Sequence, residues 1–405
     1  MASSQPIPSA PGHPQPPPVN PMCVLSRSSP SSGAESLLSP MGAAVVVDMG
    51  SGTCKVGFSG QARPLYTVDT LVGWQPGRPA VDTLVGEAAR AQPDVTLVQP
   101  VRHGIVVEWE AAELLWRHLL EHDLRVGSGA HPLLFSDPPF SPATNREQLV
   151  EVVFEGLGAP AMFVASQAVL SVYAHGRVSG LVVDVGHGVT STCPVVQGTG
   201  LPRCTERLDL AGAHLTAYLA EVLQGAGLSL GHHDLTTVEA LKHSFCYVAP
   251  QAPRVRAPPE EAQPRTLRLP DGRKVTLQAR GLFQCPELLF EPPEVPGLKP
   301  VGVPAMAQRS LQGVPPNARP EVARHILLCG GSSLFPGFEG RFRTELLRRL
   351  PPGTPPVEVV AQPARHLSVW LGGSILASLR AFQTCWVLRA QYEEQGPHIV
   401  YSKCY

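Results

Sequence analysis

The sequence predicts an α/β fold in two lobes, and three features of the chain lead to this prediction. Its 405 residues, 43% of them hydrophobic, are enough for a sizeable core and favour two lobes over one. Apolar runs typical of strands, at 44–47, 181–183 and 326–328, alternate along the chain with segments of helical periodicity. A short motif, Asp-x-Gly-x-Gly, follows a strand-like run twice, which indicates a duplicated unit.

Residues 1–42 differ in composition from the rest of the chain. Pro and Ser make up half of the first forty positions, and Arg27 and Glu35 are the only charged residues there. Such a segment buries too little apolar surface to offset the entropy lost on ordering, so we expect a disordered tail. We expect a flexible tail without a partner, and the alternative is that the PQPPP run at 14–18 adopts polyproline II and docks on an SH3 or WW domain.

The net charge and the cysteine pattern exclude several classes of protein. A formal net charge of -1 gives no positive surface for direct contact with nucleic acid or with anionic membranes. Nine cysteines without a C-x-x-C pair indicate reduced thiols rather than a disulfide framework or a zinc site. No apolar run reaches the ~18 residues that span a bilayer, and the N-terminus lacks the order of a secretory signal. We therefore expect a soluble cytoplasmic protein, with the nucleus as an open alternative.

Three segments have apolar residues at helical spacing, namely 110–126, 144–158 and 208–227. In the second segment, Thr144 and Glu147 fit a capping box, which predicts that Thr144 caps the helix. The third segment is expected to end at its glycines. Proline and polar residues fill the stretch 249–265, which predicts an exposed loop.

The duplicated motif is the main candidate for a functional site. It reads VVVDMGSGTCK at 45–55 and LVVDVGHGVTS at 181–191. In each copy a strand leads into a turn with two glycines, whose free backbone N–H groups suit a phosphate. The glycines are Gly50, Gly52, Gly186 and Gly188.

Polar side chains around these turns strengthen the phosphate hypothesis. Ser51 adds a hydroxyl donor and Lys55 a positive charge, while Asp48 and Asp184 can orient a magnesium ion through its water shell. A plain hairpin with Asp and Gly in its turn explains most single matches of this kind. Two copies, each after an apolar strand, instead suggest two lobes whose turns hold a nucleotide phosphate tail between them.

A third glycine-rich element, HILLCGGSSLFPG at 325–337, again follows a strand-like run. The three elements in this order resemble actin and its relatives, and the resemblance extends over roughly 43–405. Further stretches that resemble actin motifs are TNREQL at 144, PAMFVASQAVLSVYAHGR at 160–177, LDLAGAHLTAYL at 208–219, LPDGRKVTL at 269–277, SVWLGGSILASL at 368–379 and the ending GPHIVYSKCY. The chain is thus identified as a divergent member of the actin family.

The resemblance implies a two-lobed fold of four subdomains, with ATP or ADP and Mg²⁺ or Ca²⁺ in the central cleft. The first lobe is expected to comprise 43–176 and 366–405, with a shortened subdomain 2 at 66–100. The second lobe is expected at 177–365, with subdomain 4 at 211–300.

The resemblance also implies roles for individual residues. Gln167 matches a glutamine that helps to position the attacking water, and Asp184 the magnesium-side aspartate of the second hairpin. Lys242 matches a lysine near the base and ribose. The implied nucleotide-binding set is Asp48, Gly50, Ser51, Gly52, Lys55, Gly186, His187, Gly188, Lys242, Gly330, Gly331, Leu334 and Phe335.

Four departures from the family pattern fall in the same cleft. His187 stands in place of a second carboxylate, and Ser191 in place of a histidine of the water-activating network. His243 replaces a glutamate that contacts ribose, and His366 replaces a lysine of the adenine pocket. We expect nucleotide binding to be retained or weakened. We also expect slow ATP hydrolysis, because general acid–base assistance typically raises a reaction rate by about 10²–10⁴-fold. The alternative is a cleft that no longer binds nucleotide.

The surfaces used for assembly also depart from the family pattern. The interval 74–83, WQPGRPAVDT, is shorter than the family's DNase-binding loop, so conventional polymerisation is doubtful. The barbed-end groove is better retained, since Tyr173, Gly176, Leu376 and Leu379 match its positions. There the resemblance implies an amphipathic helix of actin-binding-type proteins, and actin itself is a further candidate partner. Alternatively, the two leucines belong to the core.

These observations favour a structural or scaffolding role over an enzymatic one. We expect a divergent actin-like cytoskeletal protein that is at most a slow ATPase. A nuclear actin-related subunit of a chromatin-remodelling complex is one alternative. Sugar kinases share the two-hairpin nucleotide fold, but the actin-like second half disfavours them. An Hsp70-type chaperone would need a peptide-binding domain after the nucleotide lobes, and we do not expect one.

Overall fold

The computed structural model describes most of the chain from Gly42 onward. The described residues are 42–74, 83–92, 94–127, 129–229, 235–251, 264–268, 272, 274–277, 279–294, 300–354 and 356–404. Three regions singled out in the sequence lie wholly or mostly outside this range, namely the N-terminal tail, the interval 74–83 and the loop 249–265.

Strands and helices alternate through the described chain, so the α/β prediction is confirmed. The strands are β1 (Val45–Met49), β2 (Thr53–Phe58), β3 (Tyr66–Asp69), β4 (Val72–Trp74), β5 (Leu84–Val85), β6 (Thr96–Val98), β7 (Val101–Arg102), β8 (Ile105–Val106), β9 (Leu133–Asp137), β10 (Ala161–Ser166), β11 (Gly180–Val185), β12 (Thr190–Val196), β13 (Thr199–Gly200), β14 (Glu206–Leu208), β15 (Arg265–Arg268), β16 (Lys274–Leu277), β17 (Ile326–Cys329), β18 (Val359–Val360) and β19 (Val387–Leu388).

The helices vary from four to fourteen residues in length. They are α1 (Glu87–Arg90), α2 (Trp109–His118), α3 (Ala143–Glu151), α4 (Gln167–Ala174), α5 (Gly212–Gly225), α6 (Leu235–Phe245), α7 (Ala279–Glu287), α8 (Val303–Gly313), α9 (Arg319–Ala323), α10 (Phe338–Arg349), α11 (Ser368–Ser378), α12 (Arg389–Gln395) and α13 (Ile399–Lys403). Wider π-helical turns extend α2 through Leu119–Asp123 and α3 through Val152–Gly156. Short 3₁₀ turns lie at Pro202–Cys204, Gly331–Leu334, Arg365–Leu367 and Arg380–Thr384.

Two large sheets repeat one arrangement of strands. The first has the order β19-β10-β9-β1-β2-β3, and the second the order β13-β12-β11-β17-β18 with β14 also paired to β12. In the first sheet, the antiparallel hairpin β1–β2 is continued by the parallel strands β9 and β10. In the second, the antiparallel hairpin β11–β12 is continued by the parallel strands β17 and β18. The duplicated sequence motif therefore belongs to a duplicated sheet.

The second sheet divides the hydrophobic core because both of its faces are covered. Residues on one face, among them Val182 and Leu327, pack into the same core cluster as the first sheet. Residues on the other face, among them Val183 and Leu328, form a second cluster with α5, α6, α8 and α10. Such alternation along each strand is what the period-2 geometry of a two-sided sheet requires.

Helices α4 and α11 cross in very close contact within the core that the first sheet shares. A Cβ added to Gly372 would overlap the backbone of Leu170, so glycine is needed where the two helices cross. Trp370 is fully buried here, and its indole N–H donates to the carbonyl of Val46 at 3.1 Å. This packing holds α11, late in the chain, against the first hairpin strand.

The predicted capping box at Thr144 is wrong. Helix α3 begins at Ala143 after Pro142, and no side chain caps it. Glu147 instead accepts a hydrogen bond from the Tyr401 hydroxyl at 2.7 Å, because α13 packs beside α3. A contact from the far end of the chain thus replaces the local one. The third predicted helix does end at its glycines, with Gly227 at a φ of +88°.

Within the described residues, no helix combines the length and the apolar character needed to cross a lipid bilayer.

Candidate functional site

The turns of the two hairpins lie against each other across the gap between the sheets. The first turn comprises residues 50–52 and the second comprises residues 186–189. A Cβ added to Gly52 would lie 2.6 Å from Cγ of His187, and one added to Gly188 would overlap Ser51 Oγ. The two glycines are therefore required by close approach of one turn to the other. We call the space around these facing turns the cleft.

Backbone donors collect at the cleft. Each turn is closed by one backbone hydrogen bond, from Gly50 N to Thr53 O at 3.1 Å and from Gly186 N to Val189 O at 3.0 Å. Four neighbouring N–H groups have no acceptor within the described part of the chain, and they belong to Ser51, Gly52, His187 and Gly188. Unpaired N–H groups on adjacent turns form a concave donor surface that suits an anion such as phosphate.

Asp48, at the end of β1, is fully engaged by the protein. Lys55 donates to Asp48 Oδ2 at 3.0 Å, and the Ser136 hydroxyl donates to Oδ1 at 2.8 Å. Burial alone would lower the pKa of Lys55, but the charge and hydrogen bond of Asp48 raise it above its ordinary value. Gln167 donates from Nε2 to Ser136 Oγ at 3.3 Å, which leaves its carbonyl oxygen to accept from another group.

Asp184, at the matching position of β11, is in a different environment. No donor contacts its carboxylate among the described residues. Burial, and then the negative charge of Asp48, raise the pKa of Asp184 to about 6, while Lys55 opposes the rise. Two carboxylates thus share one lysine, and the local excess of negative charge favours a cation from outside the protein.

A small cluster of charged groups surrounds His187. Its Nδ1 lies 3.4 Å from Glu239 Oε1, and the same oxygen lies 3.3 Å from Lys242 Nζ and 3.8 Å from His243 Nε2. The contact with His187 is the largest cause that lowers the pKa of Glu239 to about 2, ahead of the charge of Lys242. The ionised carboxylate of Glu239 therefore links His187 on the second turn to Lys242 and His243 on helix α6.

Lys242 is directed into the protein. It is almost fully buried, and its ammonium donates to Gly212 O at 2.9 Å and to Thr216 Oγ1 at 2.7 Å. These bonds join α6 to the start of α5. Gly212 N and Ala213 N in turn donate to the carbonyls of residues 186 and 187 at 3.1 and 2.7 Å. In this structure, Lys242 supports the second turn from behind.

A third hairpin, β7–β8, connects the two turns. Gly104 N donates to Ser51 Oγ at 2.7 Å, and His103 Nδ1 lies 3.0 Å from Gly188 O. The His103 ring stacks on His214, and Arg207 donates to the His103 carbonyl at 2.6 Å. His103 has a positive φ of 48°, which turns its carbonyl and ring toward the second lobe.

The loop after β17 lies directly under the second hairpin. Gly330 has a φ of +81°, and an added Cβ would overlap the Asp184 carboxylate and the Val185 carbonyl. Ser332 donates to Gly186 O at 2.7 Å, and the buried Arg365 donates to Ser333.

Other positions of this loop separate into exposed and buried groups. Gly331 has open space around an added Cβ, Leu334 is exposed and Phe335 is buried. Nearby, burial and the charge of Lys55 lower the pKa of His366, so this ring lies within electrostatic reach of the first hairpin.

The four groove residues are not equally accessible. Leu376 is buried at 6% exposure, whereas Leu379 is 38% exposed. A Cβ on Gly176 would meet open space. Tyr173 is buried, its hydroxyl has no hydrogen-bond partner among the described residues, and burial raises its pKa to about 12. Among these four residues, Leu379 is therefore the exposed apolar side chain that a partner would meet.

The residues present fit a nucleotide phosphate tail with a divalent cation. Four unpaired N–H groups suit the phosphate oxygens, and the unshared charge of Asp184 suits a cation held through water. No group of three or more His, Cys, Asp or Glu side chains in the described residues is placed to hold a metal ion by itself. A cation here would therefore take most of its ligands from phosphate and water.

The sequence-predicted site residues fall into two groups. The structure brings together both hairpin turns, Asp48, Lys55, Asp184, Gln167 and Gly330, whereas Lys242, Leu376 and Phe335 are turned into the interior. Sequence reasoning missed Ser136, Glu239 and His103. Glu239 lies three residues before Lys242 on one helix, a spacing that would have marked it as a neighbour. Nothing local marks Ser136 as a partner of Asp48.

Comparison with known proteins agrees with the duplicated hairpins. The family model described as Actin matches residues 40–235 and 231–405 of this chain. Bovine actin-like protein 9 (Bos taurus) is 65% identical over 399 residues, which cover 96% of this chain and 95% of the relative. Human actin-like protein 9 (Homo sapiens) is 66% identical over 387 residues, covering 94% and 92%.

A more distant group of relatives also aligns over most of the length. Actin-like protein 7A of Macaca fascicularis is 40% identical over 369 residues, covering 89% of this chain and 84% of the relative. The motifs quoted above suggest actin-like protein 10 as a near relative, and the matches do not confirm that number.

Proposed function

The chain belongs to the actin family, and on that premise we propose that it is a nucleotide-binding cytoskeletal scaffold with weak or absent ATP hydrolysis. We propose ATP or ADP with Mg²⁺ or Ca²⁺ as the ligand of the cleft. The observation that carries this proposal is the pair of facing turns with four unpaired N–H groups beside an unneutralised carboxylate. Donors without an acceptor in the protein are expected where a ligand supplies the acceptor.

Slow hydrolysis is supported by the groups that stand where a lytic water would be activated. Ser191 is buried opposite Asp184 in the second hairpin, and a hydroxyl is a poor base at neutral pH. Gln167 still offers its carbonyl oxygen to a water. Orientation of water without a base supports a slow reaction, since general base assistance is worth about 10²–10⁴-fold.

We further propose that the protein does not polymerise in the conventional way. The short interval 74–83 supports this, although residues 75–82 lie outside the described range. The groove near Leu379 and Gly176 remains a candidate site for an amphipathic helix of actin-binding-type proteins, or for a contact with actin itself. We place this role in the cytoskeleton of the cytoplasm, with a nuclear actin-related subunit as the alternative.

The first test is the melting temperature of the full-length protein with ATP, with and without Mg²⁺. A ligand at 100 times its Kd adds about 2.7 kcal/mol of stability, which gives a clear shift. We expect a shift in the wild type and its loss in Lys55→Met, each measured against the same variant without ligand. Arg203→Met, at an exposed arginine outside the cleft, is the matched control and keeps the shift.

Three results would contradict parts of the proposal. The absence of a shift with ATP and ADP, with or without a divalent cation, would indicate a cleft that no longer binds nucleotide. Phosphate release at the speed of actin in a single-turnover experiment would contradict slow hydrolysis. Robust filament formation by the pure protein in a sedimentation assay would contradict the assembly proposal.

A further inference from the structure

The imidazole of His187 is fixed on one edge. A Cβ added to Gly52 would lie 2.6 Å from Cγ, 2.8 Å from Cβ and 3.0 Å from Nδ1 of His187, so this edge of the ring rests on the first turn. The same Nδ1 lies 3.4 Å from Glu239 Oε1. The opposite ring nitrogen, Nε2, makes no hydrogen bond or ion pair with any residue that the structure describes. The side chain is 28% exposed at the facing turns, so the ring is partly open to the cleft.

Glu239 determines which ring nitrogen of His187 carries the proton. Its Oε1 lies 3.4 Å from His187 Nδ1 and 3.3 Å from the buried ammonium of Lys242, a cation that pairs with a carboxylate. A carboxylate can only accept, so Nδ1 is the protonated nitrogen of the neutral imidazole and Nε2 carries the lone pair. A carboxylate behind Nδ1–H is the usual outer support of a histidine that ligates a metal through Nε2.

The protein alone does not supply a complete metal site. No group of three or more potential ligand side chains converges within the described residues. A cation at His187 must therefore take its other ligands from phosphate oxygens and water, and it binds only together with the nucleotide. Mg²⁺ strongly prefers oxygen ligands, whereas Mn²⁺, Co²⁺ and Zn²⁺ accept imidazole nitrogen.

We propose that His187, oriented by Glu239, is a direct nitrogen ligand of the divalent cation that accompanies the nucleotide, so that the cleft prefers Mn²⁺ or another imidazole-accepting metal to Mg²⁺. This inference rests on the proposed nucleotide site and specifies its metal. At His187 the resemblance places a carboxylate, which interacts with Mg²⁺ through water. The exchange of a carboxylate for an imidazole backed by a carboxylate changes the metal that the site selects.

The experiment uses full-length protein with ATP and Mn²⁺, examined by pulsed electron paramagnetic resonance for coupling between manganese and nitrogen-14. A ligated imidazole gives a nitrogen signal that water and phosphate ligands do not give. We expect the signal in the wild type and its loss in His187→Gln. Glu239→Gln weakens it, because outer support is worth about 10–100-fold in metal affinity. His214→Gln, which removes a neighbouring ring on α5, is the control and retains the signal.

Competition between metals gives a second readout, which the same variants check. The ATP-dependent melting shift is expected at about tenfold lower Mn²⁺ than Mg²⁺ concentration, and Mn²⁺ without nucleotide is expected to produce no shift. His187→Gln abolishes the preference, whereas His214→Gln keeps it.

The possible outcomes separate this inference from the function on which it rests. ATP binding with Mn²⁺ but without nitrogen coupling overturns the inference and leaves the nucleotide site intact. Loss of the nitrogen signal in His243→Gln but not in His187→Gln would show that His243 is the metal ligand. That result also overturns the inference. A nitrogen signal from Mn²⁺ without nucleotide contradicts the shared site. The absence of ATP binding with every metal overturns the proposed function itself.

Discussion

The two hairpins have the same motif and the same place in their sheets, but only the carboxylate of the first hairpin is hydrogen-bonded by the protein. Asp48 receives hydrogen bonds from Lys55 and from Ser136. Asp184 receives none from the described residues, and its pKa is raised to about 6 by burial and by Asp48. The first carboxylate is therefore neutralised by the protein, whereas the second is left for a ligand.

Two neighbours explain this difference, one on the adjacent parallel strand and one across each hairpin. On β9, the residue that contacts Asp48 is Ser136, a donor. On β17, the residue paired with Asp184 is Cys329, whose buried thiol is a weak donor and has a pKa raised to about 12 by burial and by Asp184. Two matching positions thus separate the carboxylates: the parallel neighbour is Ser136 or Cys329, and the partner across the hairpin is Lys55 for Asp48 but Ser191 for Asp184. Duplicated hairpins can therefore share a fold while one carboxylate is paired within the protein and the other is left for a ligand.

The largest expected effect comes from removing the lysine that neutralises the first hairpin. Lys55→Met leaves Asp48 and Asp184 without a cation, and loss of one partner of a buried ion pair costs about 3–5 kcal/mol. Urea unfolding of the protein without nucleotide measures the loss. Arg203→Met, at an exposed arginine, is expected to change the free energy of unfolding by less than about 0.5 kcal/mol.

A double variant tests whether the charge is the cause. Lys55→Met combined with Asp48→Asn removes both members of the pair and is expected to recover most of the lost stability. If the double variant is as unstable as Lys55→Met alone, packing of the lysine chain, and not the ion pair, supports the first hairpin.

The stability of the second hairpin is expected to require glycine at position 330, in the loop that packs against it. Gly330→Ala adds a Cβ that overlaps the Asp184 carboxylate and the Val185 carbonyl, at a φ that L-residues avoid. The strained backbone and the overpacking together cost about 2–4 kcal/mol in the free energy of unfolding. Gly331→Ala is the matched control, since its added Cβ meets nothing within 4 Å. Equal stability of the two variants would show that the loop can move away from Asp184.

The raised pKa of Asp184 predicts a dependence of stability on pH. Between its ordinary pKa of 3.8 and about 6, the folded chain binds the proton more tightly than the unfolded chain does. Stability contributed by this residue therefore falls as pH rises through that window. Asp184→Asn removes the penalty and is expected to exceed the wild type by about 3 kcal/mol at pH 7, and by less than about 1 kcal/mol at pH 4.

Urea unfolding in EDTA without nucleotide, at several pH values from 4 to 7, measures this difference. Asp94→Asn, at an exposed aspartate, is the control and should follow the wild type throughout. If the free energies of unfolding of Asp184→Asn and the wild type differ by the same amount at every pH in the window, the pKa of Asp184 is not raised in the folded protein.

The variant with the smallest expected effect gives the second hairpin a hydroxyl donor like the one in the first hairpin. Cys329→Ser places a hydroxyl donor beside Asp184, as Ser136 does beside Asp48. A hydrogen bond to the charged form lowers a carboxyl pKa, and we expect the midpoint of the pH dependence to fall by about one pH unit. Cys404→Ser, at a buried cysteine packed against β10, is the control for the loss of a buried thiol. An unchanged midpoint in Cys329→Ser would mean that the strand neighbour does not set the difference between the hairpins.

The α/β class, the family and the two hairpins could be predicted from the sequence. These follow from patterns within about ten residues, such as an apolar run before a glycine-rich turn, and backbone geometry is governed at that range. The same reasoning failed where a distant segment competed, as at Glu147, which binds Tyr401 and does not take part in a capping box.

The contacts of each site residue could not be predicted from the sequence, because they depend on the packing of distant segments. Ser136 stands beside Asp48 although 88 residues separate them, Glu239 stands behind His187, and Lys242 is buried against α5. Hydrogen bonds and charge pairs depend on ångström-scale distances between segments, and these distances are set by the packing of sheets and helices. The motif could therefore locate the cleft, but the partners that divide its charges were fixed by the fold.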